Sequence, residues 1–92
     1  MSSESLEVRR KRLRFRAWHR GMRESDLLLG NFADAHIGGF SAEQLDRFEE
    51  LLEVADADIY NWYAGREPVL PAYDHDVMAL LKAFRIVNPS AN

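Results

Sequence analysis

The side chains able to do chemistry are few in this sequence, and most of them stand alone. There is no cysteine, which removes disulfides, thiolate nucleophiles and thiolate metal sites and agrees with a reducing compartment. His19, His36 and His75 are too scattered for H-x-x-x-H or any comparable metal-ligand spacing, and the carboxylates fall mainly on polar helix faces. Neither a phosphate-cradling glycine loop nor a nucleophile elbow occurs. No catalytic, cofactor-binding or metal site is therefore expected, and the chain reads as a non-enzyme. The one dense group is Arg20-Gly21-Met22-Arg23-Glu24, followed at once by Ser25-Asp26-Leu27. Read locally, Gly21 suits the position just past a helix end, where φ > 0 is common, while Glu24 and Asp26 suit the first turn of the next helix, where the amide dipoles favour carboxylates. On that reading the pentapeptide is a helix-turn-helix joint. A functional reading needs more than this spacing.

The elements that must position the pentapeptide follow from apolar periodicity and punctuation. Leu13-Arg14-Phe15-Arg16-Ala17 alternates like a strand, yet Phe15, Trp18 and Met22, or Leu13 and Ala17, also recur at helical spacing, and no second strand-like run exists to pair with it. A first helix over about 5–19 is expected, with Leu13, Phe15 and Trp18 seating it on a core. Leu28, Leu29, Phe32, Ala33, His36 and Ile37 make a second amphipathic helix from residue 23, stopped by Gly38-Gly39, with His36 at the core edge. Ser41-Ala42-Glu43-Gln44 is a capping-box signature opening a third helix over 41–53. In that helix Leu45, Phe48, Leu51 and Leu52 face inward, Glu43, Asp46, Glu50 and Glu53 form a solvated stripe, and Glu43 pairs with Arg47 at i,i+4.

Asp56 is expected to cap a fourth helix carrying Ile59, Trp62 and Tyr63, with Gly65 as its stop, and 67–73 reads as an extended loop with Pro68 and Pro71. Asp74 then starts a fifth helix with Val77, Leu80, Leu81 and Phe84 inward and His75 in its first turn. The whole is an all-α, compact five-helix bundle, a single domain over 1–92 with an ordered core of about 5–87 and fraying ends, the last being Asn88 to Asn92.

Ninety-two residues suffice for one small core, but not for a large cofactor together with a catalytic cleft. No window approaches the roughly eighteen apolar residues of a membrane span, and Met1 to Ser5 lead into arginines rather than an apolar signal core. A soluble, unexported monomer without membrane insertion is expected, cytoplasmic or, for a eukaryotic source, in the mitochondrial matrix. The net charge of −3 hides an asymmetry: residues 1–25 carry eight basic side chains against three acidic ones, leaving +5, whereas 26–92 carry four against twelve, leaving −8. A basic face on an acidic body suggests a partner surface without naming the partner.

Two blocks of the sequence then carry a resemblance. Arg20-Gly21-Met22-Arg23-Glu24 matches the Arg-Gly-x-x-Glu signature of the SdhE-type succinate dehydrogenase assembly factors, and Leu51-Leu52-Glu53 followed by Asp56-Ala57-Asp58-Ile59-Tyr60-Asn61-Trp62 looks like that family's acidic turn leading into an aromatic helix. With the basic first helix the resemblance runs over about residues 8–85. His19 departs from it, many members having an arginine there.

The resemblance implies a five-helix bundle that promotes covalent attachment of FAD to the flavoprotein subunit of succinate dehydrogenase or fumarate reductase. FAD would then belong to the partner, whose histidine attacks the flavin ring, and this chain would act as a chaperone-like factor. The resemblance also implies a partner site built on Arg20, Gly21 and Glu24, with Met22, Arg23 and Asp26 as neighbours and Arg16, His19, Asp56 and Asp58 as secondary candidates. Arg20 would make bidentate contacts to carboxylate or carbonyls, Gly21 would allow close approach, and Glu24 would accept hydrogen bonds or position a histidine. Two other classes compete. A regulatory adaptor, antitoxin-like or cytoskeleton-binding, would use the same charged surface without needing Arg20 and Glu24 together, and a nucleic-acid binder would depend on Arg9 to Arg16 and show steep salt dependence.

Overall fold

The computed structural model describes residues 4–86. Five α-helices appear in the order α1 (Leu6–Trp18), α2 (Arg23–His36), α3 (Ala42–Leu52), α4 (Asp56–Tyr63) and α5 (Asp76–Ala83), with 3₁₀ turns at Ile37–Gly39 and Pro71–Tyr73. Among the described residues there is no strand, so the all-α bundle read from periodicity is the fold. The fraying expected of the last five residues lies outside the described residues.

The local signals explain most of the boundaries. Ser41 Oγ accepts from the Gln44 amide and the Gln44 side chain accepts from the Ser41 amide, so the capping box forms as expected. Gly21 at φ 95° and Gly65 at φ 76° supply the two left-handed turns, after α1 and α4 respectively. Two starts differ from expectation. Asp56 does not cap α4: it is the first residue of the helix, behind an N-cap Ala55 that offers no side-chain bond. Asp74 does not start α5 either, because the N-cap is His75, whose Nδ1 accepts from the Met78 amide. The prolyl segment closes into a 3₁₀ turn at Pro71 instead of staying extended throughout.

One core joins all five helices. Leu28, Leu29, Phe32 and Ala33 of α2 meet Leu45, Phe48, Leu51 and Leu52 of α3, with Ile59, Trp62, Val77, Met78 and Leu81 closing it from α4 and α5. Phe32 lies at its centre, with ring centroids 5.8 Å from Phe48 and 5.6 Å from Phe84. His36 stands at the edge, 4.9 Å from Phe32, as the pattern implied.

Helix α1 joins this core differently from the others. Only Leu13 and Ala17 of α1 are buried, and Phe15, expected to seat the helix, is 64% exposed. Burying one leucine is worth about 1.5–3 kcal/mol, little for a thirteen-residue helix. Trp18 packs against Gly30 of α2, and the arginines supply the rest of the attachment. Arg9 bonds Asp46 at 2.5 Å and Glu49 at 2.9 Å, Arg12 reaches Glu49 at 3.1 Å and Glu4 at 2.8 Å, and Arg16 bonds Glu53 at 2.6 Å. Arg10 caps the turn after α2, donating to the Ile37 and Phe40 carbonyls at 3.1 and 2.8 Å. The acidic stripe of α3 is exposed as expected, but Asp46 and Glu53 at its edge, together with Glu49, take arginines of α1. Glu43 does not hold Arg47, which instead bonds Asp76 of α5 at 3.0 Å.

Glu49 is the hub of this strap. Burial alone would raise its carboxyl, but hydrogen bonds from Arg12 and Arg9 outweigh that and hold it below its ordinary 4.5. A carboxylate with a depressed folded-state pKa stabilises the fold above its unfolded value, and that contribution disappears as pH falls through the folded one. Glu49→Gln should therefore cost about 1 kcal/mol at pH 7 and low salt, discounted for its partial exposure. In urea titrations the gap between variant and wild type should narrow in high salt and close as the pH falls from the ordinary carboxyl value through the lower folded-state one. A gap that persisted in acid after the carboxylates were fully protonated would mean that Glu49 acts through packing instead.

Candidate partner-binding site

Between α1 and α2 the chain runs through His19, Arg20, Gly21 and Met22, and each has a distinct task. His19 ends α1 as its C-cap, and its Nδ1 lies 2.7 Å from the Phe15 carbonyl. A carbonyl only accepts, so Nδ1 carries the proton and, in the neutral ring, Nε2 is an outward acceptor. The ring also stacks on Phe15 at 3.9 Å between centroids, forming an exposed aromatic pair. Met22, 52% exposed, is the N-cap of α2 and contributes no side-chain bond.

Arg20 turns inward. Its Nε donates to Asp56 at 2.5 Å, Nη1 to the Leu52 carbonyl at 2.7 Å and Nη2 to the Val54 carbonyl at 2.7 Å, and only 11% of the side chain is exposed. The end of α3 leaves carbonyls without intrahelical partners, and a guanidinium satisfies them while offsetting the negative end of the helix dipole. Each such charge-assisted bond is worth on the order of 1.5–3 kcal/mol. The same residue's backbone amide donates to Asp26 at 2.7 Å, so Asp26 folds back over the turn. The sequence reading placed the fork of Arg20 on a partner. In the structure its carboxylate and carbonyl ligands belong to its own chain, because the α3–α4 corner presents just those groups opposite the turn.

What the turn exposes is Gly21, Met22, Arg23 and Glu24, all open to solvent. The Glu24 carbonyl accepts from the Tyr60 hydroxyl at 2.9 Å, tying the start of α2 to α4. Burial, and then the Glu24 carboxylate, push the Tyr60 phenol above its ordinary value.

Two clefts flank the turn. One, of about 300 Å³, is lined by Phe15, Arg16, His19 and Arg20. The other, of about 290 Å³ and mostly apolar, is lined by Met22, Glu24, Ser25, Asp56, Ala57 and Tyr60. Arg20 lines the first and Asp56 the second, and the two side chains are ion-paired.

The structure gathers Arg16, His19, Arg20, Gly21, Met22, Arg23, Glu24, Asp26 and Asp56 around one turn. Arg16 is spent partly on Glu53 and Glu49. Asp58 is not part of the group, for it lines a separate cleft with Trp62, Glu67, Pro68 and Leu70. Sequence reasoning missed Phe15 and Tyr60. Phe15 carried a signal, since it sits two residues from both Leu13 and Ala17 and a helix cannot bury all three on one stripe. Among the described residues no group of three or more His, Asp or Glu could hold a metal ion, and no helix is long and apolar enough to cross a membrane.

A small helical bundle that presents a braced, partly apolar turn beside two open clefts has the geometry of a protein-interaction module. The sequence model of the family described as flavinator of succinate dehydrogenase matches residues 11–85, a span that includes the whole turn and all five helix cores. The chain belongs to this family. It is 43% identical over 82 residues to succinate dehydrogenase assembly factor 2-A, mitochondrial, of Drosophila yakuba, covering 87% of this chain and 51% of that protein. It is 44% identical over 73 residues to the corresponding factor of Debaryomyces hansenii, covering 79% of this chain and 51% of that one. To the FAD assembly factor SdhE of Acetobacter pasteurianus it is 41% identical over 69 residues, covering 75% of this chain and 63% of the relative. The chain thus spans about half the length of the fly and yeast relatives.

Proposed function

We propose that this chain is a chaperone-like assembly factor that binds the flavoprotein subunit of succinate dehydrogenase or fumarate reductase and promotes the covalent attachment of FAD to it. The observation that carries this reading is membership of the flavinator family over residues 11–85, a span that contains the braced turn Arg20 to Glu24. FAD belongs to the partner in this scheme. The clefts beside the turn hold about 300 Å³ and 290 Å³ and open to solvent, whereas a dinucleotide requires a longer enclosed cradle.

The chain's part is to select a conformation of the client and not to react. Attachment requires a nucleophile of the client and the flavin carbon to be held in near-attack geometry, and a rigid surface that binds only the competent arrangement raises its population. Gly21 permits close approach, Phe15 and Met22 provide apolar anchors on either side of it, and Glu24 supplies a fixed negative charge at the rim. Arg9, Arg12 and Arg16 of α1 are paired with carboxylates of α3, which disfavours a nucleic-acid surface.

The test is capture of the client by the tagged chain, followed by in-gel flavin fluorescence of the denatured client with and without it. Phe15→Ala should leave thermal stability within about 0.5 kcal/mol, the side chain being exposed, and weaken capture on the order of tenfold. Glu24→Gln should leave capture nearly unchanged yet lower covalent flavin even at saturating concentration. If excess Glu24→Gln protein restored full attachment, Glu24 would be an affinity contact only. If the wild-type chain neither captured a flavoprotein nor raised its covalent flavin, the reading would fall.

A further inference from the structure

We propose that Arg20 and Asp56 serve the partner site as positioning residues, holding the Gly21 turn in register with α4 without touching the partner. The inference rests on the reading that this turn is the partner surface. It departs from the expectation, natural for an exposed-looking Arg-Gly-x-x-Glu motif, that the arginine is itself a contact.

Both side chains are mostly enclosed, at 11% and 18% exposure, and the guanidinium is bound on each of its three nitrogens. To reach a partner it would have to abandon a carboxylate and the two carbonyls left open at the end of α3. Those groups would then be left unsatisfied at a half-buried corner, which is costly. The turn, for its part, has little else to fix it. Gly21 has no side chain to pack, and nothing lies within 4 Å of where its Cβ would stand. A glycine at φ 95° has wide conformational freedom unless its neighbours are tied down.

Three ties do this. The Arg20 side chain fastens the turn to the α3–α4 corner, its amide fastens it to Asp26, and Tyr60 fastens the Glu24 carbonyl to α4. The exposed Met22 and Glu24 thereby keep a fixed position over the cleft that they share with Asp56, Ala57 and Tyr60. A surface held this way does not pay the ordering cost at the moment of binding.

Direct contact and positioning differ in what Asp56 should do. If Arg20 touched the partner, Asp56→Asn would free the guanidinium, so binding would hold or tighten, and adding Arg20→Lys would then cost more. If the pair positions the turn, Asp56→Asn and Arg20→Lys should each weaken binding on the order of tenfold, and the double variant should be no worse than Arg20→Lys alone. Binding is measured with the purified flavoprotein subunit of succinate dehydrogenase as the probe, and circular dichroism checks that each variant is folded.

A second measurement needs no partner. Amide hydrogen exchange of the isolated chain should quicken at residues 20–24 in Asp56→Asn, while Met78 and Leu81 in α5 keep their protection. Tyr60→Phe, which keeps the ring, should give the same local effect more weakly. Unchanged exchange at 20–24, or additive losses in the double variant, would overturn the proposal. Failure of the wild-type chain to bind the subunit would count against the functional reading alone, because the exchange experiment would still decide whether the pair holds the turn.

Discussion

Gly21→Arg is expected to abolish partner capture while leaving a helical, cooperatively folding chain. Two effects of the substitution can be separated. The first is backbone strain, since φ is 95° and an L side chain there costs about 1–2 kcal/mol. The second is bulk, and within the chain there is none to speak of: a Cβ at Gly21 would meet nothing within 4 Å. A domain of ordinary stability, about 5–15 kcal/mol, survives the strain, with a melting temperature lowered by roughly 4–8 °C per kcal/mol. The arginine then projects from the middle of the exposed turn, between Met22 and the Phe15–His19 pair, where a partner must come closest. A loss of capture of about 100-fold or more, near 2.7 kcal/mol, is expected. Gly21→Ala separates the terms, because it carries the same strain with a single methyl and should lose far less binding than stability. Circular dichroism, thermal melting and client capture on the three proteins make the comparison. Undiminished capture by the folded Gly21→Arg protein would remove the turn from the site.

The same turn shows what a sequence discloses and what it withholds. Gly21 was legible because positive φ is a local property with a residue type attached to it, and the same holds for the Ser41–Gln44 capping box and the leucine and phenylalanine faces of α2 and α3. The address of Arg20 was not. Its ligands lie 32 to 36 residues away, at the Leu52 and Val54 carbonyls and Asp56, and no spacing rule joins a side chain to the open end of a helix that only the fold brings near. Asp56 was misread for the same reason: it has the right type and position for a cap, but the guanidinium opposite takes its carboxylate.

The charge pattern misled in a related way. A +5 segment and a −8 remainder look like a surface awaiting a partner, yet Arg9, Arg12 and Arg16 lie along the carboxylates of α3, and much of the imbalance cancels in space. Separation in sequence is not separation in the fold. Phe15 is exposed because Leu13 and Ala17, the packing of Trp18 on Gly30 and the ion pairs complete the seating of α1 without it. The surface proposed for the partner therefore includes an aromatic that periodicity had assigned to the core.

Gly30→Ala should be among the most damaging single-methyl changes in the chain, although a helix-propensity argument gives it the opposite sign. Glycine inside a helix costs about 1 kcal/mol relative to alanine, and Gly30 lies well inside α2, so alanine ought to stabilise. Packing reverses this. A Cβ on Gly30 would run into the Trp18 indole at Cδ2, Cε2 and Cε3, the fused edge of a rigid ring and not the tip of a flexible chain. Trp18 cannot swing aside freely, because it is the last residue of α1 and its Nε1 donates to Asp34 at 3.4 Å. Overpacking of this kind costs about 1–3 kcal/mol and outweighs the propensity gain. The clash is relieved by α1 moving outward, and the end of α1 leads directly into His19 and the Gly21 turn. Gly30→Ala should therefore lower the urea midpoint and also weaken client capture, although residue 30 is buried and lines neither cleft. Trp18→Leu combined with Gly30→Ala provides the decisive comparison, since the smaller side chain leaves room for the methyl. The double variant should be more stable than Gly30→Ala alone, with the two changes strongly non-additive. If Gly30→Ala proved as stable as wild type, the close approach of α1 to α2 would not be what sets the position of the turn.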